Sequence, residues 1–159
     1  MITGSIATNF YAVPRMTRDI DIVIEVKKED TNRLSALFEK DFYIDRESVI
    51  EAVDQKGMFN MIHNESVFKI DFIVRKDSSY RKLEFERRRQ VEVEGVGLWI
   101  VSPEDLILSK LVWAQDSRSE MQLGDVRNLL SMVKDIDISY LERWVRSLGI
   151  EKVYRKAKE

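Results

Sequence analysis

Residues 3 to 26 read TGSIATNFYAVPRMTRDIDIVIEV. In the second half, Ile20, Ile22 and Ile24 alternate with Asp19, Asp21 and Val23. Period two with β-branched residues predicts a strand. In a strand, residues i and i+2 project from the same face, so Asp19 and Asp21 lie side by side while the isoleucines face a core. In the first half, Met1 to Thr3 predicts a scrap of strand, cut by Gly4. Ser5 to Tyr11 predicts a short helix, and Pro14 disfavours helix in the residue before it. Two carboxylates on a half-buried strand, just after a Gly-Ser turn, need a purpose.

Further along the chain, Phe68, Ile70, Phe72 and Val74 predict one apolar face of a second strand, with Lys69 and Asp71 on the other. If the two strands are neighbours, Asp19, Asp21 and Asp71 converge. Like charges that close resist ionisation, and a divalent cation removes the conflict. Oxygen ligands without His or Cys favour Mg²⁺ or Mn²⁺ over zinc. A Gly between strand and helix lets the backbone approach an anion, and the first N–H groups of the helix plus the Ser5 hydroxyl make a phosphate cradle. Such a cradle beside a carboxylate metal site is equipment for phosphoryl transfer.

Around this centre, helical spacing predicts a helix over 30–39, with Asp30 or Thr31 as cap, and a weaker helix over 46–55. Met58–His63 and Val67–Val74 flank Asn64-Glu65-Ser66 as a hairpin, and 79–87 predicts a helix. Val91 and Val93, then Leu98 and Ile100, flank Gly95-Val96-Gly97 as a second hairpin. Ser102-Pro103-Glu104-Asp105 is a strong helix start, with Ser as cap and Pro at the first position. That helix is expected to end near Trp113, with Gln115–Glu120 as a loop. Helices over 122–134 and 139–147, stopped at Gly149, complete an α/β (α+β) order that ends all helical. Residues 1–101 read as a catalytic core and 102–159 as the C-terminal helical part of the same compact domain.

Composition bounds the function. A chain of 159 residues with 44% hydrophobic and 34% charged residues supports one folded domain with a well-solvated surface. A net charge of −2 gives no global argument for nucleic acid, and the absence of cysteine excludes a disulfide framework and thiolate chemistry. No apolar run approaches the ~18 residues of a membrane span, and no signal peptide is evident. These features lead to the expectation of a soluble, cytoplasmic protein.

Gly4-Ser5, Asp19-Ile20-Asp21 and Asp71 together resemble the catalytic signature of the polymerase-beta-type nucleotidyltransferase superfamily. The connector Ala12 to Asp19 is similar to that of small prokaryotic members. Lys69-Ile70-Asp71 resembles the Lys-x-Asp element of the abortive-infection toxin branch, and Lys110 and Asp125 resemble its later Lys and Asp positions. The resemblance implies a mixed nucleotidyltransferase-type sheet flanked by helices. It also implies transfer of a nucleoside monophosphate from a nucleoside triphosphate to a hydroxyl, with an RNA end, a protein or a small molecule left open as acceptor. It implies that Asp19 and Asp21 hold two Mg²⁺ or Mn²⁺ ions, and that Asp71 binds the one nearer the acceptor. Gly4, Ser5, Lys69 and Lys110 would bind the nucleotide phosphates, with Arg18 and Asp125 as further site residues. An antitoxin partner belongs to the same resemblance. Family members carry a helix ahead of the Gly-Ser strand, where three residues stand here, so an uncovered core face and a homodimer are expected.

Each position also has an ordinary reading. Asp19 and Asp21 suit the solvent face of an amphipathic strand. Lys110 suits a solvated helix position, and Asp125 suits a first-turn charge favouring its helix dipole. His63 is expected to have no catalytic role, and Trp99, Trp113 and Trp144 to act as core or interface anchors. Residues 75 to 89 hold seven Arg and Lys side chains against Asp77, Glu84 and Glu86, a local excess suited to a triphosphate tail or an RNA backbone.

Overall fold

The computed structural model describes every residue except Val67. The elements in chain order are α1 (Gly4–Tyr11), β1 (Asp19–Ile24), a 3₁₀ turn (Lys28–Asp30), α2 (Thr31–Phe38), β2 (Phe42–Ile44), α3 (Arg46–Gln55), β3 (Met58–His63) and β4 (Lys69–Val74). They continue with α4 (Ser79–Glu86), β5 (Arg89–Val93), β6 (Val96–Ile100), α5 (Pro103–Ser117), α6 (Glu120–Met132), α7 (Ile138–Ser147) and α8 (Glu151–Lys158). The fold is α+β. A mixed four-stranded sheet has the order β1-β4-β3-β2, with β1 parallel to β4 and the other pairs antiparallel. The hairpin β5–β6 forms a second sheet.

Residues 1–3 join the two sheets. Ile2 bridges both Ile22 and Ile100, donating to the Trp99 carbonyl at 2.7 Å and accepting from the Val101 N–H at 2.9 Å. On the β1 side, Thr3 N–H donates to Asp21 O at 2.9 Å and Val23 N–H to Met1 O at 2.8 Å. The strand scrap expected there is therefore a stitch between sheets.

Alternation decides the two sides of the four-stranded sheet. Val49, Ala52 and Val53 of α3 bury against Phe59, Met61, Phe72 and Val74, with Ile22, Ile24 and Ile70 packed alongside. The other core gathers α5 to α8 around Leu108, Leu111, Val126 and Leu141, and takes in Ala7 of α1, Tyr80 of α4 and Ile100 of β6. It draws residues from both sides of position 101. Among the described residues, no helix is long and apolar enough to cross a membrane.

Several sequence expectations are corrected. The hairpin turn is Glu94-Gly95, both at positive φ (50° and 78°), so Val96 and Gly97 belong to β6. Successive positive φ values match the twist of a two-residue hairpin loop. Helix α5 runs on to Ser117, and only Arg118 and Ser119 separate it from α6. Gln115, Asp116 and Ser117 are polar but keep their intrahelical bonds, and the turn comes where Arg118 adopts the left-handed conformation at φ 54°. Strand β2 and helix α8 were not expected at all. Phe68 is exposed rather than in the core. Val67, the expected first residue of its strand, lies outside the described residues, and β4 begins at Lys69.

The basic stretch 75–89 is largely spent internally. Arg81 pairs with Glu84, Arg87 pairs with Asp105 at 3.0 Å and Glu104 at 3.3 Å, and Arg75 pairs with Glu25. Arg88 stacks over Phe85 and Trp99. Glu84, Glu104 and Asp105 are buried, so these guanidiniums compensate carboxylates that would otherwise be uncompensated in the interior.

Candidate active site

Parallel pairing of β1 with β4 sets Asp21 directly opposite Asp71, and Asp19 opposite Lys69. All four share the sheet face turned away from α2 and α3. Asp71 is buried, Asp21 partly buried and Asp19 exposed. Lys69 Nζ lies 2.9 Å from Asp71 Oδ2 and 3.8 Å from Asp19 Oδ1, bridging the two. Asp71 Oδ1 is buried and has no hydrogen-bond partner among the described residues. A buried carboxylate oxygen without a donor is costly. Burial, and then the charge of Asp71, push the Asp21 carboxyl above the ordinary carboxylate range, against a hydrogen bond from the Ser5 N–H.

Gly4 is required twice over. Its φ is +60°, and a Cβ there would sit 1.9 Å from Asp21 Oδ2. The turn into α1 therefore rests on the carboxylate of β1. Thr3, at the start of α1, makes no side-chain cap, so the helix's first donors are not consumed by a cap of its own. Ser5 Oγ accepts from Arg15 at 2.7 Å.

Arg15 is the residue that the sequence did not single out. Its guanidinium also donates to Asp125 through Nε and one terminal nitrogen, each at 3.1 Å. Asn9 of α1 clamps its backbone from both sides, accepting from Arg15 N–H at 2.9 Å and donating to its carbonyl at 2.8 Å. Lys110 Nζ donates to Asp125 Oδ2 at 2.7 Å and to Gln122 Oε1 at 2.9 Å. A chain Ser5–Arg15–Asp125–Lys110 thus ties the Gly-Ser turn to α5 and α6. Burial lowers the Lys110 ammonium, with Asp125 opposing. Burial alone would raise Asp125, but the bonds from Arg15 and Lys110 outweigh it and hold its carboxyl low. The only sequence signal for Arg15 was its place in the connector.

Not every sequence-nominated residue converges. Arg18 is exposed, and its carbonyl, rather than its side chain, contacts the strand by accepting from Lys69 N–H at 3.3 Å. Among the described residues, no group of three or more acidic or histidine side chains is gathered to hold an ion as it stands. Asp21, Asp71 and the unpartnered Asp71 Oδ1 nevertheless fit a hard cation, and the Lys69 ammonium now neutralises that charge. Surface hollows beside α7–α8 at Arg146 and Tyr154 and beside α2 at Asp30 and Arg33 lie elsewhere. Their linings hold no paired carboxylates on a shared sheet face, so the open sheet face is the stronger candidate.

The fold defines a class: it is the nucleotidyltransferase fold. The chain resembles the antibiotic-resistance factor ANT(2'')-Ia over 99% of its length and 87% of that protein's, with TM-score 0.61 and 15% identity. It resembles an antigenic nucleotidyltransferase-like protein from Paracoccidioides brasiliensis over 95% and 79% of the two chains, with TM-score 0.56 and 18% identity. It also resembles the lincosamide antibiotic adenylyltransferase LnuA, solved with lincomycin bound, over 83% and 85%, with TM-score 0.52 and 14% identity. No protein-family model matches the sequence, and neither does any curated protein.

Proposed function

We propose that this chain is a metal-dependent nucleotidyltransferase that moves a nucleoside monophosphate from a nucleoside triphosphate to a hydroxyl acceptor. The observation that carries this is the Asp21–Asp71 pair, with the Gly4-Ser5 turn against one member and an unsatisfied oxygen on the other. Asp19, Asp21 and Asp71 would hold Mg²⁺ or Mn²⁺, which when bound neutralises phosphate charge. The α1 N-terminus and Ser5 bind the terminal phosphates, and Asp71 accepts the acceptor's proton. Asp125 keeps Arg15 and Lys110 side by side as cations behind the triphosphate tail. Lys69 leaves Asp71 for a phosphate oxygen when the site is loaded. A toxin-like role, with an antitoxin partner, and a homodimer belong to this proposal in its most specific form.

Lys69 favours a second reading. An ammonium already bridging Asp71 and Asp19 suits a nucleotide- or partner-binding module without catalysis. One calorimetric titration separates the two. The enzyme is expected to bind a nucleoside triphosphate at least tenfold more tightly with Mg²⁺ than in excess chelator, and Ser5→Ala to weaken triphosphate binding more than metal binding. Equal affinity in chelator removes the metal-dependent enzyme and leaves the module.

A further inference from the structure

The face of the sheet that carries the carboxylates continues past β4 onto β3 and β2. Register makes the rows explicit. Asp19, Lys69, Ile62 and Tyr43 form one transverse row, and Asp21, Asp71 and Asn60 form the next. Val23, Ile73 and Met58 form a third. Directly opposed residues share a face. Helices α2 and α3 pack on the other side, through Phe42, Ile44, Phe59 and Met61. The β2–β3 part of the carboxylate face is open: Tyr43 is 66% exposed, Met58 56% and Ile62 44%. Three large apolar side chains on an uncovered sheet face, in register with a charged site, are out of place in a plain amphipathic sheet.

Their position relative to the phosphate cradle gives them a use. The Gly4-Ser5 turn lies against Asp21, on the β1 side. Nucleotidyl transfer runs in line. The acceptor hydroxyl oxygen bonds to the α-phosphorus, the α–β phosphoanhydride bond breaks, and pyrophosphate leaves with the electron pair. The hydroxyl proton passes to Asp71. The attacking oxygen must therefore arrive opposite the leaving pyrophosphate, which is the β3–β2 side of Asp71. We infer that Tyr43, Ile62 and Met58 are the acceptor platform, and that the acceptor is a hydroxyl compound with a flat apolar or aromatic face and no negative charge. This rests on the nucleotidyltransferase reading above.

The stretch of chain flanking Tyr43 is net acidic, which disfavours a polyanionic acceptor. The segment flanking Tyr43 carries Glu39, Asp41, Asp45 and Glu47 against Lys40 and Arg46, and Arg46 is paired with Glu39. Hydrogen bonds from Ser48 and then from the Glu47 N–H hold the Asp45 carboxyl low, so it stays ionised. Lys69, in the same row as Tyr43, is engaged by Asp71 and Asp19, and in the loaded site by the triphosphate, so it is not left for an acceptor phosphate. An RNA end would bring phosphates toward this net acidic stretch. A neutral or cationic aromatic alcohol stacks on Tyr43 without that conflict.

Methyl-labelled protein tests this by NMR in the presence of Mg²⁺ and an α,β-methylene triphosphate, with tyramine, 2-phenylethanol and a short RNA ending in a 3′-hydroxyl as probes. Tyramine and 2-phenylethanol are expected to shift the Ile62 and Met58 methyl signals, and Tyr43→Ala to weaken both at least tenfold. The triphosphate-induced shift of the Ser5 amide should be the same in both proteins. The platform is overturned if the RNA shifts those methyls and the alcohols do not, or if no probe moves them while Ser5 still responds. It is also overturned if they shift with protein concentration alone, which would assign the face to a second copy. Loss of the Ser5 response in the unmutated protein would instead overturn the nucleotidyltransferase reading itself.

Discussion

Asp21 meets opposing demands. In its proposed role it must be ionised to hold a cation, yet burial and Asp71 push its carboxyl above the ordinary range. A carboxylate raised in the folded state destabilises the fold wherever it is ionised, above its folded pKa. The penalty vanishes once pH falls below the ordinary carboxylate value of the unfolded chain. Asp21→Asn keeps the shape and an acceptor for the Ser5 N–H, and removes the charge. Without metal, the variant is expected to melt a few degrees above the unmutated protein near neutral pH, from about 1 kcal/mol of relieved repulsion. The gap should close as pH falls through the raised pKa. Added Mg²⁺ should raise the melting temperature of the unmutated protein and leave the variant nearly unmoved, since a ligand stabilises only the state that binds it. A variant that melts lower without metal would make Asp21 a structural hydrogen-bonding residue and remove the paired-carboxylate site.

At the scale of elements, legibility followed how local the signal was. The strands β1 and β4 were readable because alternation is written in the residues themselves, whereas the register that sets Asp21 opposite Asp71 is fixed only by their pairing in the sheet. The start of α5 was readable because capping is local: Ser102 Oγ accepts from Asp105 N–H at 3.2 Å. Strand β2 was hidden because three residues carry no period, and its existence depends on pairing with β3. Helix α8 was hidden because its composition is charged, with only Val153, Tyr154 and Ala157 to bury, and its face is defined by contacts with α5, α6 and α7. Arg15 was invisible because its partners Ser5 and Asp125 lie 10 and 110 positions away. The cap at α5 does more than start a helix. Ser102 also donates to Asp105 Oδ2 at 2.6 Å, and that buried carboxylate accepts from Arg87 and Tyr140 as well. Ser102→Ala is expected to cost about 2 kcal/mol, combining a lost cap with a lost buried donor. Thermal unfolding would show a drop of several degrees, partly restored by Ser102→Thr. A variant within a degree of the unmutated protein would mean that Arg87 and Tyr140 satisfy Asp105 alone.

At the scale of the whole molecule, two apolar cores flank the site, one under α2 and α3 and one inside the C-terminal helices. The proposed chemistry requires both to hold still. The carboxylates stand on strands supported by the first core, while the turn that meets them is anchored through Arg15, Asp125 and Lys110 to helices of the second. The chain crosses between the cores from α1 to β1 and again from β4 to α4, and residues 1–3 add a non-covalent tie, where Ile2 bonds to β6 while its neighbours Met1 and Thr3 bond to β1. Four backbone bonds in one short segment make opening either core expensive for the other, so the chain is expected to unfold as one unit. Native-state hydrogen exchange reports this directly. Amides of Val53 and Phe72 in the first core and of Leu108 and Leu129 in the second should share an opening free energy to within about 1 kcal/mol. Ile2→Pro removes the N–H that reaches Trp99 and should split the two groups, with the Ile2 neighbours losing protection first. If the groups already differ by several kcal/mol in the unmutated protein, the cores open separately. The Gly4-Ser5 turn would then move relative to the carboxylates on every such opening, and Lys110, Asp125 and Arg15 would be a hinge rather than a brace.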